Sequence, residues 1–116
     1  MTEEMVLGDL FDRRNHLERK FEVYDAENPH IWPLFVRFTF ETIERGYQHY
    51  SVNGIFERIR WHTSVEAKPA PGDPPNPDSG GSLKINDHYR AYYARKFNDT
   101  FPRYDGYFRT RKLRAA

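Results

Sequence analysis

Apolar residues recur at helical spacing in four stretches of the chain, and polar residues fill the other positions of each stretch. The pattern predicts helices over residues 9–28, 29–46, 51–62 and 86–98. The apolar stripes consist of Leu10, Phe11, Leu17, Phe21 and Tyr24 in the first helix, Ile31, Leu34, Phe35, Phe38 and Ile43 in the second, Val52, Ile55, Phe56 and Ile59 in the third, and Tyr89, Tyr92, Tyr93 and Phe97 in the fourth. The chain is therefore expected to be mainly α-helical.

The ends of these helices carry signals of their own. Proline disfavours α geometry in the residue before it, so Asn28-Pro29 separates the first two helices. Gly46 offers a left-handed stop to the second helix, and Ser51 is placed to cap the third. These signals predict a short connector between the second and third helices.

Residues 63–85 have no helical pattern and predict a β-hairpin. TSVEA at 63–67 and SLKI at 82–85 have the composition of short strands, and residues 68–82 hold five prolines and three glycines. A segment with so few apolar side chains cannot build a core, which predicts a disordered loop at the tip of the hairpin.

The order of the predicted elements is that of a winged helix-turn-helix protein. Three helices precede a hairpin that would form a long-tipped wing, and a C-terminal helix and a basic, aromatic tail over residues 99–116 follow. Residues 1–116 have a length typical of a single domain. In this fold the third helix enters the major groove of DNA. The side chains expected to contact DNA are Ser51, Asn53, Arg58 and Arg60, with Arg109, Arg111 and Lys112 in the tail.

The charges are divided unequally along the chain. The whole sequence has 18 basic and 17 acidic side chains, but residues 84–116 alone hold nine basic and three acidic ones. Such a segment favours a polyanionic partner, here double-stranded DNA, and a small regulatory DNA-binding protein is the first functional hypothesis. The tail could equally neutralise the acidic body within one fold, because opposite charges attract.

An aromatic and arginine-rich surface favours an alternative function, that of a non-catalytic adaptor or inhibitor of another protein. Trp61 falls on the mostly polar face of the third helix, where an exposed tryptophan is uncommon. Rings beside arginines are frequent anchors of protein interfaces. The candidate protein-binding residues are Trp61, Tyr104, Tyr107 and Phe108. A homodimer is also compatible with the sequence.

The sequence contains no recognisable catalytic or metal-binding motif. It has no cysteine, its five histidines are not paired at zinc-ligand spacing, and the motifs G-x-x-x-x-G-K-[ST], G-x-G-x-x-G and G-x-S-x-G do not occur. We therefore expect no enzymatic activity, no cofactor and no metal. An acidic N-terminus without a signal-peptide pattern, and the lack of a long apolar run, predict no membrane association and a cytoplasmic location.

Two blocks of the chain resemble a group of small proteins from bacteriophages and mobile elements. The first block, HYSVNGIFERIRW, begins at His49 and follows the pattern H-Y-S-x-x-x-I-F-E-R-I-R-W. The second contains INDHYRAYYARKF, which follows I-N-x-x-Y-x-A-Y-Y-A-R-x-F and ends in P-x-Y-x-G-[YF]-F. The resemblance implies a phage or prophage setting, with a bacterial host cell as location and a host protein as the partner of an adaptor. It implies no particular activity.

Overall fold

The computed structural model describes residues 3–79 and 87–108 of the chain, with side chains from residue 15 in the first range and from residue 89 in the second. Its helices are α1 (Glu3–Glu27), α2 (Ile31–Glu44), α3 (Val52–Trp61) and α4 (Asp87–Thr100). A π-helical turn, His62–Glu66, continues α3, and a 3-10 turn, Pro102–Tyr104, follows α4. The four helices lie close to the predicted ones, although α1 begins six residues earlier than expected.

α2 is the central helix of the core, and it packs against both α3 and α4. Four of the five residues of its apolar stripe are buried, Ile43 is partly buried, and the ring of Phe35 lies at the centre. The ring centroid of Phe35 lies 5.4 Å from that of Phe56 in α3, 5.9 Å from that of Tyr93 in α4 and 5.3 Å from that of Phe108. Because aromatic side chains bury large areas, these rings supply much of the hydrophobic stabilisation of a small core.

α1 joins this core through its C-terminal turns. Phe21 is buried, and its ring meets that of Tyr93 edge to face at 4.8 Å between centroids. The Tyr93 hydroxyl donates a hydrogen bond to Asp25 at 3.1 Å. Residues 16–20, by contrast, are exposed on every side of the helix. α1 therefore leaves the body of the protein on the N-terminal side of Phe21.

The predicted end of α2 and the predicted cap of α3 are both confirmed. Gly46 has φ of 92°, the left-handed conformation that glycine adopts without strain, and its N–H donates to the carbonyl of Ile43 at 3.0 Å. Ser51 is the N-cap of α3, where its Oγ accepts from the N–H of Gly54 at 3.4 Å.

The predicted fold class, mainly α with a β-hairpin in a winged helix-turn-helix arrangement, is wrong. All regular elements among residues 3–79 and 87–108 are helical. The first predicted strand instead prolongs α3, because His62 and Thr63 are buried at helical positions below Ile59. The hydroxyls of Thr63 and Ser64 both donate to the carbonyl of Arg60, the contact that these side chains make one turn back along a helix. The second predicted strand, 82–85, lies outside the described residues.

The proline-rich segment after the π-helical turn follows a defined path from residue 68 to residue 79. The N–H of Asp73 donates to the carbonyl of Ala70 at 3.0 Å, and that of Ser79 donates to Asn76 at 2.9 Å, so the segment contains two tight turns. Asp78 fixes its far end, because the Nε2–H of the buried His62 donates to its carboxylate at 3.0 Å. The remaining part of the predicted loop, 80–82, is not among the described residues.

The chain after α4 folds back onto α2. The hydroxyls of Tyr107 and Thr42 are hydrogen-bonded at 2.6 Å, and Phe108 is buried among the core rings. Only residues 99–108 of the predicted basic tail 99–116 are described. In the part of the chain that the structure describes, no helix is both long and apolar enough to cross a membrane.

Candidate protein-binding surface along α3

Four large hydrophobic side chains are exposed along α3 and the segments that flank it. They are Tyr47, Tyr50, Trp61 and Val65, with 55, 36, 57 and 48% of their surface accessible. Trp61 and Val65 are four residues apart on the helical path, and Gly54 lies seven residues before Trp61, so these positions share one side of α3. We call the four side chains the α3 outer strip.

The buried side of α3 determines on which side of the helix the strip lies. Ile55, Phe56 and Ile59 are buried against α2 and α4, with at most 1% of their surface exposed. Because helical side chains repeat every 3.6 residues, Trp61 is forced onto the opposite side. The π-helical turn then carries Val65 to the surface beside it.

Gly54 determines where Tyr50 lies. A Cβ atom at Gly54 would stand only 2.8 Å from Cε1 of Tyr50, so the ring occupies the space where a side chain would be. The ring of Tyr47 meets that of Tyr50 edge to face at 5.6 Å between centroids. A groove of about 370 Å³ runs beside these rings toward Phe38 of α2. The connector therefore adds two tyrosines to the surface of α3.

Charged side chains flank the strip in oppositely charged pairs. Arg60 lies 3.4 Å from Glu57, and Arg58 forms a salt bridge with Glu66 while its guanidinium stacks on Phe38 at 4.3 Å from the ring centroid. The hydrogen bond from Arg58 lowers the pKa of Glu66, so this carboxyl stays ionised. The charges that α3 and the π-helical turn contribute beside the strip therefore form two acid–base pairs.

The described residues that were predicted to contact DNA all have partners within the chain. Ser51 caps α3, and the side-chain oxygen of Asn53 accepts from Arg90 at 2.8 Å. Arg58 and Arg60 are held by the carboxylates named above. The other three predicted DNA contacts, Arg109, Arg111 and Lys112, lie outside the described residues.

The four predicted protein-binding residues are not brought together. Trp61 is exposed, Tyr104 is half-buried with its ring 5.4 Å from that of Phe40, and Tyr107 and Phe108 are core residues. Trp61 is therefore the most exposed of the four.

Sequence reasoning missed Tyr47, Tyr50 and Val65. Tyr47 and Tyr50 could have been predicted to be exposed, because they lie in a connector too short to bury them. A glycine at an exposed helical position follows close by. Val65 could not be found in this way, because residues 63–67 were predicted as a strand, whereas the helical path of α3 continues through them.

The fold and this surface define a small helical protein with an aromatic strip on one exposed helix face. No family model matches the chain, and neither a curated protein nor a solved structure shows significant similarity to it.

Proposed function

We propose that the protein is a non-catalytic adaptor or inhibitor that binds another protein through the α3 outer strip. The observation that carries the proposal is the exposure of Trp61 beside Val65 on a helix whose other face is fully buried. Large aromatic side chains on rigid elements lose little conformational entropy on binding and dominate the energetics of many interfaces.

The charges on the same face favour a protein partner over DNA. Arg58 and Arg60 are each paired with a carboxylate, and those carboxylates, Glu66 and Glu57, are themselves on the surface that would approach phosphates. A protein surface can accommodate such mixed charge at the rim of an apolar contact, whereas a phosphate backbone repels the acids. DNA binding remains a prediction of the sequence, and three of its seven predicted contacts, Arg109, Arg111 and Lys112, lie outside the described residues.

Affinity capture with the tagged full-length chain tests the proposal. The resemblance to phage proteins suggests a bacterial lysate as the source of partners. We expect Trp61→Ala to remove captured protein, because truncation of a central aromatic anchor costs about 2 kcal/mol or more, roughly thirtyfold in affinity. Val23→Ala is the matched control, since Val23 is equally exposed but lies on α1.

The same samples distinguish the two functional hypotheses. If Trp61→Ala retains every captured protein, the α3 outer strip is not the binding surface. Fluorescence anisotropy with a random DNA duplex at several salt concentrations gives the second measurement. Salt-dependent binding that Trp61→Ala leaves unchanged would favour the DNA-binding hypothesis instead.

A further inference from the structure

The groove beside Tyr47 and Tyr50 reaches from the surface to the core. It is also lined by Phe38 of α2 and Ile55 of α3, which have only 1% of their surface exposed and form its floor. Its volume of about 370 Å³ is comparable with that of clefts that hold small ligands. An apolar floor beside two tyrosine rings favours a bulky apolar group as the occupant.

Three charged side chains line the same groove, and they are Glu41, Arg45 and Arg58. Two of them have partners of opposite charge, because Glu41 lies 3.8 Å from Arg37 and Arg58 forms the salt bridge with Glu66. Arg45 is exposed and forms no ion pair with another described residue. The two pairs cancel, so the groove has one positive charge in excess, and that charge belongs to Arg45.

We infer that this groove takes a segment of the partner protein in which a bulky apolar side chain stands beside an aspartate or glutamate, an inference that rests on the proposed function. The apolar side chain enters the groove and covers its floor at Phe38 and Ile55. The neighbouring carboxylate pairs with Arg45, because a guanidinium binds a carboxylate through two parallel hydrogen bonds. The adjacent apolar contact keeps water away from this pair and so strengthens it.

The charges of the groove argue against a nucleic acid as the occupant. A phosphate backbone presents a series of negative charges, whereas Arg45 alone among the charged residues lining the groove lacks an acidic partner in the described chain. Glu41 and Glu66 would lie close to further phosphates and repel them. A single carboxylate on an otherwise apolar segment meets the one excess charge without this repulsion.

Two-dimensional proton–nitrogen NMR of the full-length chain with capped pentapeptides tests the inference. The probe is acetyl-Gly-Asp-Phe-Asp-Gly-amide, in which either aspartate can reach an arginine beside the ring. We expect it to shift the amide signals of Tyr47, Tyr50 and Ile55, with a dissociation constant on the order of 1 mM, because a short flexible peptide loses conformational entropy on binding. Peptides with asparagine in place of both aspartates, or with alanine in place of phenylalanine, should bind roughly fivefold more weakly.

Reversal of one charge gives a second measurement. Arg45→Glu should weaken binding of the aspartate peptide at least about fivefold and favour the same peptide with lysine in place of aspartate. Arg19→Glu is the matched control and should change neither dissociation constant. Arg19 is also an exposed arginine without an ion pair among the described residues, but it lies on α1. The spread of the amide signals of each variant verifies that it is folded.

The inference is overturned if the aspartate peptide shifts none of these signals at about 10 mM, if the three peptides bind equally, or if Arg45→Glu binds as the wild type does. Shifts caused by an oligothymidylate of about eight nucleotides, but not by the peptide, would assign the groove to nucleic acid and also overturn it. If the peptide does not bind but Trp61→Ala still loses a captured protein, the inference is excluded and the proposed function stands. Peptide binding as expected, with every captured protein retained by Trp61→Ala, would support the groove site and contradict the proposed function.

Discussion

Tyr93 combines a buried ring with a hydroxyl that has a charged partner. Its side chain is inaccessible to solvent, and its hydroxyl donates to the carboxylate of Asp25. Burial, reinforced by the negative charge of Asp25, raises the pKa of Tyr93 far above its ordinary value. The phenol is therefore held in its neutral form, because ionisation would place a second negative charge beside Asp25.

This arrangement predicts a loss of stability at alkaline pH. In the unfolded chain Tyr93 ionises near its ordinary pKa of 10.0, while in the folded protein it stays protonated. Only the unfolded state then loses the proton, so the free energy of unfolding falls as the pH rises above about 10. Tyr93→Phe has no such proton to lose. We expect it to cost about 1 kcal/mol near neutrality and less, or nothing, at about pH 11.

Urea unfolding of the wild type, Tyr93→Phe and Tyr47→Phe at about pH 8 and pH 11 measures the effect. Tyr47 is exposed and serves as the control for removal of a tyrosine hydroxyl. A difference between wild type and Tyr93→Phe that is the same at both pH values would contradict the prediction.

At the scale of elements, local sequence patterns predict the helices far better than the segments that connect them. The buried stripe of α2, the glycine stop at Gly46 and the cap at Ser51 all depend on neighbouring residues, so local patterns predict them. The predicted strand at 63–67 fails because Thr63 is buried by helical packing, while Val65, the residue with the strongest strand preference there, is exposed. The rings of Phe35 and Phe108 are in contact although the two residues are far apart in sequence, and no local periodicity predicts such a contact.

The residues of the α3 outer strip were less predictable from the sequence than the helices. The exposure of Trp61 follows from the angle between its position and the buried stripe of α3. The Tyr50 ring could be placed only once Gly54 and the connector were seen together, and Tyr107 could be assigned to the core only from its contact with Thr42.

Among the described residues, the proline-rich segment 68–79 contacts the body at its far end through the hydrogen bond between His62 and Asp78. We expect Asp78→Ala to release that end, since the hydrogen bond to His62 is then lost. Residues 68–77 are all exposed, so the global stability should fall by only about 1 kcal/mol. Limited proteolysis should show faster cleavage within the segment.

Asp73→Ala is the matched control for this experiment. Asp73 lies in the same segment, and its backbone N–H, not its carboxylate, forms the turn with Ala70. Equal cleavage rates in the two variants would show that the contact with His62 does not hold the segment.

At the scale of the whole molecule, the protein is extended. Its radius of gyration is 17.3 Å, whereas about 13 Å is typical of a compact chain of this length. The exposure of residues 16–20 on every side accounts for part of this difference, because α1 runs away from the body there. The acidic first part and the basic last part of the chain meet where α1 joins α4, at the salt bridge of 2.5 Å between Asp25 and Lys96.

Asp25 is therefore expected to control how firmly α1 is attached. Asp25→Ala leaves both Lys96 and the Tyr93 hydroxyl without their acceptor, which should cost about 2–3 kcal/mol. Amide hydrogen exchange should accelerate over residues 21–27 more than in α2. Glu22→Ala, which removes an exposed carboxylate one turn earlier, should leave the exchange of both helices unchanged. Uniform acceleration in Asp25→Ala would mean that α1 and the core unfold as one unit.

The ring-lined core around Phe35 has a consequence for spectroscopy. The buried side chains of Ile31, Ile55 and Ile59 belong to the same cluster as Phe35, Phe56, Phe97 and Phe108. Methyl groups held above aromatic faces experience the magnetic fields of the ring currents, which displace their proton resonances upfield of the crowded methyl region. A one-dimensional proton spectrum should accordingly contain several isolated high-field lines. Their disappearance on heating would follow the loss of tertiary packing without any added label.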